Sequence, residues 1–311
     1  MLNRVIFDSH VDTIEVALDE KSNLNNTNYS FNLKDALATL PYIQCIASFV
    51  NTKYKNGFLR VNDILDKLYI EYEINKDKMY LIKKSEDIKI HEDKVGIILT
   101  VENALAIEDD IQNIQRLYNR GVRLMSLTWN DDNLLGCGTN TKNDTGLTKF
   151  GKKCIEEMNR LNMIIDVSHA SKKTYFDTIN ISKQTIVATH SCVYNICNHK
   201  RNLDDEQIKK IAKLNGVIGI CFHTDFLNSN NHATSDDIVR HIEYIATLVG
   251  VDYIGLGSDF EGIEKSKLPL DILKCSNMNI LIDKMHNRGF SNNEISKIMG
   301  QNFLRVFKEN L

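Results

Sequence analysis

The sequence predicts an α/β fold, a (β/α)8 TIM barrel, from three observations. Runs rich in valine, isoleucine and leucine alternate with stretches of helical periodicity, which is typical of parallel βα units. The number of such runs matches the eight strands of a barrel, and 311 residues is a suitable length for one. A doubly wound open sheet is the competing fold.

Each predicted strand is a short apolar run bounded by polar or turn-forming residues. The strands are predicted at about 4–12, 43–50, 95–102, 122–129, 163–169, 185–190, 217–223 and 253–259. Helices are predicted between them at 60–74, 109–121, 146–162, 204–216 and 235–250. Several helices have a capping residue in front and a glycine behind. Because the chain has only two prolines and no Pro-, Gly- or Ser-rich linker, we expect a single catalytic domain over residues 1–311.

Composition narrows the function classes. A hydrophobic fraction of 42% is enough for a full core, and a net charge of -3 without a basic stripe argues against a nucleic-acid partner. The seven cysteines are scattered and contain no C-x-x-C pair, which favours a reducing compartment over a disulfide framework. No apolar run reaches the length of a membrane span, and the first residues lack a signal-peptide core. We therefore expect a cytoplasmic protein that does not contact a membrane.

Polar residues collect at the carboxyl ends of the predicted strands. Asp8, His10 and Asp12 alternate along the first strand, so all three side chains lie on one face. Later strands end in Glu102, His169, His190 and Asp259. In a barrel these ends open onto one face, where active sites lie, so we expect the side chains to converge in one cleft.

Each of these residues alone has an ordinary structural explanation, such as a helix cap or a hydrogen bond to a loop. Apart from Asp8, they are three imidazoles and three carboxylates, a ligand set that suits zinc, with manganese, cobalt or iron(II) as alternatives. One catalytic zinc needs only three protein ligands. The surplus favours two metals: His10 and Asp12 on one, His169 and His190 on the other, and Glu102 on both. Such a site activates water for hydrolysis, with Asp259 left as the proton carrier.

Seven ordered stretches carry a resemblance to a known family. They are DSHVD (8–12), TVENA (100–104), GVRLMSLTWNDDN (121–133), IDVSHAS (165–171), ATHSCVYNICNHKRNLDD (188–205), GLGSDFEG (255–262) and QNFLRVF (301–307). In this ordered set the chain resembles the membrane (renal) dipeptidase family, dinuclear zinc barrels of the amidohydrolase superfamily. The resemblance implies a metal-dependent dipeptidase that cleaves L-Xaa-L-Xaa and L-Xaa-D-Xaa. It also implies a homodimer.

The resemblance assigns roles to individual residues. It implies the same five metal ligands for two Zn²⁺ per chain, which Mn²⁺ or Co²⁺ could replace. It further implies that Arg201 binds the carboxylate of the dipeptide substrate and that Asp259 shuttles a proton and contacts the amine. A guanidinium suits the first role because it can form a bidentate pair with a carboxylate.

Trp129 departs from the family pattern. Mammalian members carry a histidine here that is thought to polarise the substrate carbonyl, whereas an indole N–H can only donate. Carbonyl polarisation would then fall to the metal or to Asn130, which makes Trp129 and Asn130 candidate substrate contacts. The alternative is that Trp129 packs against the pocket wall. We also expect the protein to lack the secretion signal and lipid anchor of the mammalian members, so we do not expect their membrane location to transfer.

Three further features have weaker interpretations. His223 ends a predicted strand and is expected to make a loop contact or support a ligand. Gly255 and Gly257 fit either a phosphate cradle or close backbone packing. His241 lies in a helical context and is expected to be solvated.

Two other functions compete with the dipeptidase. One is a different metal hydrolase of the same superfamily, such as a lactonase, phosphotriesterase or deaminase. His10-Val11-Asp12 in place of H-x-H, and Glu102 in place of a carboxylated lysine, count against it. The other is a metal-bound barrel without catalysis, which Trp129 supports and the intact ligand set opposes.

Overall fold

Residues 5–39 and 41–311 are described by the computed structural model. Within these ranges nine strands form one parallel sheet. The strands are β1 Ile6–Val11, β2 Tyr42–Phe49, β3 Met79–Leu81, β4 Val95–Glu102, β5 Val122–Ser126, β6 Ile164–Asp166, β7 Ile186–Ser191, β8 Ile218–Ile220 and β9 Ile254–Leu256. The start of the first predicted strand, residue 4, lies outside the described residues.

Helices follow most strands. They are α1 Thr13–Asp19, α2 Leu33–Leu37, α3 Gly57–Ile74, α4 Gln112–Asn119, α5 Lys149–Arg160, α6 Lys172–Ile181, α7 Asp205–Lys213, α8 Thr224–Leu227, α9 Ser235–Val249, α10 Ile280–Asn287, α11 Asn292–Ser296 and α12 Asn302–Asn310. Side-chain caps begin several of them: Asn56 accepts from the Leu59 N–H before α3, and Thr148 accepts from the Gly151 N–H before α5. No described helix is both long enough and apolar enough to cross a membrane.

The sheet closes on itself. Eight strands follow one another from β2 through β1 and β9 to β4, and β2 then pairs with β4 from Ile43↔Gly96 to Phe49↔Glu102. The predicted (β/α)8 TIM barrel is therefore confirmed. The short strand β3 was not predicted, and it pairs only with the first three residues of β4.

The interior of the barrel is packed with apolar side chains. Phe7 of β1 stacks on two rings of α12, Phe303 at 5.4 Å and Phe307 at 5.2 Å, so α12 closes the end of the barrel where the strands begin. A Cβ at Gly255 would lie 2.4 Å from the Phe303 ring, and one at Gly257 would lie 1.8 Å from the Thr189 carbonyl oxygen. The two glycines therefore allow close packing of neighbouring residues, and the structure favours this interpretation over a phosphate cradle.

The strands that were expected to end in His169 and Asp259 stop short of those residues. β6 ends at Asp166 and β9 at Leu256, whereas His169 and Asp259 lie three residues further on. Both residues have a positive φ, 67° and 61°, which is uncommon for a residue other than glycine. The backbone turns there, which breaks the strand ladder and sets the two side chains in loops over the open end of the barrel.

Candidate active site

Five strand ends bring the predicted ligands together. His10, Asp12, Glu102, His169 and His190 are all buried, and Asp259 beside them is partly exposed. They come from β1, β4, β7, the residue directly after β1 and the loops after β6 and β9, as expected for a site at the carboxyl end of a barrel. Asp8, on the same strand face as His10 and Asp12, instead accepts hydrogen bonds from the backbone N–H and hydroxyl of Ser258.

The predicted ligand atoms form two groups that share Glu102. In the first, His169 Nε2 lies 2.8 Å from His190 Nε2 and 2.9 Å from Glu102 Oε1, and His190 Nε2 lies 3.6 Å from the same oxygen. In the second, His10 Nε2 lies 3.5 Å from Asp12 Oδ2 and 3.7 Å from Glu102 Oε2. Each carboxylate oxygen of Glu102 faces a different group, which is the arrangement of a bridging ligand.

The spacing within both groups fits a metal ion. Ligand atoms at 2.0–2.1 Å from one tetrahedral zinc lie about 3.3 Å apart, and the separations above scatter around that value. Within the described residues, His10 Nε2 and Asp12 Oδ1 are buried without a hydrogen-bond partner. Buried polar atoms normally have one, so these two orphaned atoms fit a group that binds a cation.

Hydrogen bonds orient the two histidines of the first group. Asn130 Oδ1 accepts from His169 Nδ1 at 2.8 Å. The Thr189 hydroxyl donates to Asp166 at 2.6 Å, so its oxygen is free to accept from His190 Nδ1 at 2.9 Å. Both imidazoles then point an Nε2 lone pair at the other across 2.8 Å, and two lone pairs at that distance repel unless a positive charge lies near them.

Burial and charge move the pKa values of these groups in opposite directions. Burial lowers the pKa of His169 to about 4 and that of His190 well below its ordinary value, so both are neutral, the form that binds a metal. Burial would also lower the pKa of His10, but the Asp12 and Glu102 carboxylates raise it well above its ordinary value. Burial raises the pKa of Asp259 to about 8. The Asp12 and Glu102 carboxylates also raise this pKa, whereas His10 lowers it. The cluster thus concentrates negative charge around His10.

The three candidate substrate contacts other than Asp259 have different surroundings. Arg201 is buried and donates from Nη2 to the His190 carbonyl, while its Nε has no hydrogen-bond partner in the described part of the chain. Trp129 packs between Phe49 and His169, with ring centroids 5.4 and 6.1 Å away. Asn130 accepts a hydrogen bond from His169 through its amide oxygen. A residue that orients a metal-binding histidine makes this kind of contact.

A cavity of about 420 Å³ opens above the cluster. Its wall includes residues that the sequence did not single out: Glu15, Val16, Asp19, Phe49, Lys53, Phe226, Glu261 and Gly262. Glu15 and Asp19 are ion-paired with Arg60 at 3.1 and 2.8 Å. Glu15 and Asp19 follow Asp12 by three and seven residues, which places them on one face of α1. This spacing in the sequence could have indicated that both residues face the site.

Two histidines outside the cluster can now be placed. His223 lines the cavity, accepts from the Asp225 N–H at the start of α8 and stacks on Phe226 of that helix at 4.4 Å. His241 was expected to be solvated, and that prediction is wrong. It is fully buried, accepts from the Val193 N–H at 3.0 Å and bonds the Leu227 carbonyl at 2.9 Å. The helix face that carries it packs on the barrel.

Known proteins match both the sequence and the fold. The family model for the membrane dipeptidases (peptidase family M19) matches residues 1–310. An uncharacterized dipeptidase of Schizosaccharomyces pombe is 34% identical over 223 residues, which is 70% of this chain and 53% of that protein, so the chain matches about half the length of this relative. An uncharacterized protein in the pqqA 5′ region of Klebsiella pneumoniae is 35% identical over 243 residues, 74% of this chain and 89% of that one.

A solved structure shares the fold over the full length. A metallopeptidase from Rhodobacter sphaeroides, liganded with a phosphinate mimic of the dipeptide L-Ala-D-Ala, superposes with a TM-score of 0.90 at 20% identity and covers 99% of this chain and 100% of that one. The family model covers nearly the whole chain, and the barrel is that of the solved relative. The chain belongs to the membrane dipeptidase family, peptidase family M19.

Proposed function

We propose that the protein is a metal-dependent dipeptidase with two divalent ions per chain, zinc being the metal that the ligand set suits best. The observation that carries the proposal is the pair of ligand groups that share Glu102 beside Arg201, a buried guanidinium with no carboxylate partner among the described residues. Five ligands divided in this way exceed the needs of one ion. The complex of the Rhodobacter sphaeroides relative with a dipeptide mimic supports the substrate class.

The proposed division of the ligands follows the two groups. His10 and Asp12 would hold one ion, His169 and His190 the other, and Glu102 both. When bound, the ions polarise the substrate carbonyl and activate water. The remaining steps fall to side chains around them.

Arg201 would bind the substrate carboxylate through its guanidinium, which places the scissile bond over the ligand cluster. Burial raises the pKa of Asp259 to about 8, and a cation bound beside it would lower that pKa and keep the carboxylate ionised. Asp259, with Oδ1 at 3.8 Å from His10 Nε2, would then take the proton of the attacking water and pass it to the leaving nitrogen. A C–O bond forms, the C–N bond breaks, and the two products are free amino acids. Trp129 and Phe49 would exclude water from one side of the cavity.

Four further expectations belong to the proposal. One catalytic domain over residues 1–311, a cytoplasmic location and a homodimer stay predictions from the sequence and the resemblance. Tolerance of a D-residue at the carboxyl side likewise stays a prediction.

The test combines metal content with turnover. Mass spectrometry of the purified protein should find about two metal ions per chain, and hydrolysis of L-Ala-L-Ala and L-Ala-D-Ala should disappear on chelation and return with zinc or manganese. One ion or none after incubation with metal would refute the dinuclear site. Two ions with turnover of lactones or phosphotriesters, but of no dipeptide, would identify another hydrolase.

A further inference from the structure

A second cavity lies beside the active-site cavity. Its volume is about 360 Å³, and the two cavities share only His169 and Arg201 in their walls. The other residues that line it are Thr139, Val167, Ala170, Lys172, Ser191, Tyr194, Lys200, Asn202, Leu203, Asp204 and Gln207. Arg201 and His169 therefore lie between the cavity that is lined by Asp12, Glu102 and Asp259 and a cavity that is lined by none of these three.

The charged groups of the second cavity are mainly cationic. Lys172 Nζ pairs with Asp204 at 2.6 Å, which neutralises one positive charge. Lys200 Nζ contacts the amide oxygen of Asn140. Among the described residues no carboxylate lies within ion-pair distance of Lys200 or Arg201, so these two positive charges have no negatively charged partner there.

Two buried polar atoms in the wall also lack partners. Ser191 Oγ and Arg201 Nε have no hydrogen-bond partner within the described ranges, although the two residues are only 0% and 4% exposed. An arginine N–H can only donate, and a serine hydroxyl can donate as well. Unpaired buried donors are costly and rare in native proteins. A ligand with acceptor oxygens and a negative charge would satisfy both donors and the two cations.

We propose that the second cavity receives the acidic side chain of the substrate's C-terminal residue, so that the enzyme prefers dipeptides ending in aspartate or glutamate. This inference rests on the proposed dipeptidase function. Such a residue carries two carboxylates separated by a few carbon atoms, and Arg201 carries five N–H donors and lines both cavities. The main-chain carboxylate lies on the side of the ligand cluster, and the side-chain carboxylate lies on the side of Lys200 and Ser191.

The test compares isosteric substrates. We expect kcat/KM for L-Ala-L-Asp to exceed that for L-Ala-L-Asn by about tenfold or more, because hydrogen bonds to a charged group contribute that much to binding. Likewise, kcat/KM for L-Ala-L-Glu should exceed that for L-Ala-L-Gln. The aspartate preference should fall to about threefold or less in Lys200→Met and Ser191→Ala, with turnover of L-Ala-L-Ala nearly unchanged.

A matched control removes the same charge elsewhere. Lys213→Met deletes an exposed lysine at the end of α7 that is not in the cavity wall, and it should leave the preference intact. Equal turnover of L-Ala-L-Asp and L-Ala-L-Asn, or a preference that survives Lys200→Met and Ser191→Ala, would overturn the inference while leaving the dipeptidase function in place. Absence of turnover for every dipeptide, L-Ala-L-Ala included, would overturn both.

A free anion, in place of a substrate side chain, could also bind the unpaired donors and the two cations of the second cavity. If inorganic phosphate changes the turnover of L-Ala-L-Ala in the wild type but not in Lys200→Met, while aspartate and asparagine substrates are cleaved equally, the cavity binds a free anion. That outcome would also overturn the inference.

Discussion

Replacing Asn130 separates two roles for this residue. The sequence suggested a substrate contact, whereas the structure shows Asn130 Oδ1 accepting from His169 Nδ1 at 2.8 Å and from the Thr139 hydroxyl at 3.0 Å. Asn130→Ala removes both bonds and leaves His169 Nδ1–H unpaired in a buried setting. The imidazole then loses the contact that holds its tautomer and its orientation.

The expected cost is set by that single hydrogen bond. Loss of an orienting partner typically weakens metal affinity by about 10- to 100-fold, or roughly 1.4 to 2.7 kcal/mol. An unpaired buried donor costs about 1–3 kcal/mol, which is the same range. Asn130→Asp keeps an acceptor oxygen at the same place and adds the charge found in many histidine–carboxylate pairs, so we expect it to retain affinity.

Zinc affinity measured by competition with a chromophoric chelator, together with KM and kcat for L-Ala-L-Ala, decides between the roles. Weaker zinc binding in Asn130→Ala but not in Asn130→Asp supports the orienting role. Unchanged zinc affinity with a raised KM in Asn130→Ala would refute the reasoning and restore Asn130 as a substrate contact.

Three other predictions follow from the site and the core. Asp259→Asn should lower kcat by about 10²- to 10⁴-fold with metal content retained, since an amide cannot carry the proton; near-normal kcat would exclude Asp259 as the shuttle. Arg201→Lys keeps the positive charge but loses the planar guanidinium that can bind a carboxylate through two N–H groups, so KM for L-Ala-L-Ala should rise by about tenfold with kcat little changed. A loss confined to kcat would contradict carboxylate binding. Burial lowers the pKa of His241 to about 4 from its ordinary 6.5. The unfolded chain then binds more protons between those values, and the free energy of unfolding should fall by about 3 kcal/mol as the pH drops from 6.5 to 4. Urea unfolding at several pH values should show a flatter dependence in His241→Gln, and an equal slope in both proteins would refute this assignment.

Local pattern was sufficient to predict the barrel and the convergence of the predicted ligands at one end of it. Buried parallel strands are continuous apolar runs, and helices have their own period and caps, so the βα alternation could be read directly. A residue at the carboxyl end of any barrel strand faces the same cleft, and for that reason His10, Asp12, Glu102 and His190 could be grouped before their distances were known. Nothing in the short run Met79–Leu81 distinguishes it from a loop, and β3 was missed.

Tertiary structure alone decided what each polar group contacts. The pairing of Asn130 with His169, the burial of His241 and the second cavity behind Arg201 all depend on loops that leave the strands and meet residues distant in the chain. Periodicity identifies which face of an element is buried, but not which side chain from another element it meets there. That is decided by the closure of the barrel and by backbone turns such as those at His169 and Asp259, where a positive φ redirects the chain.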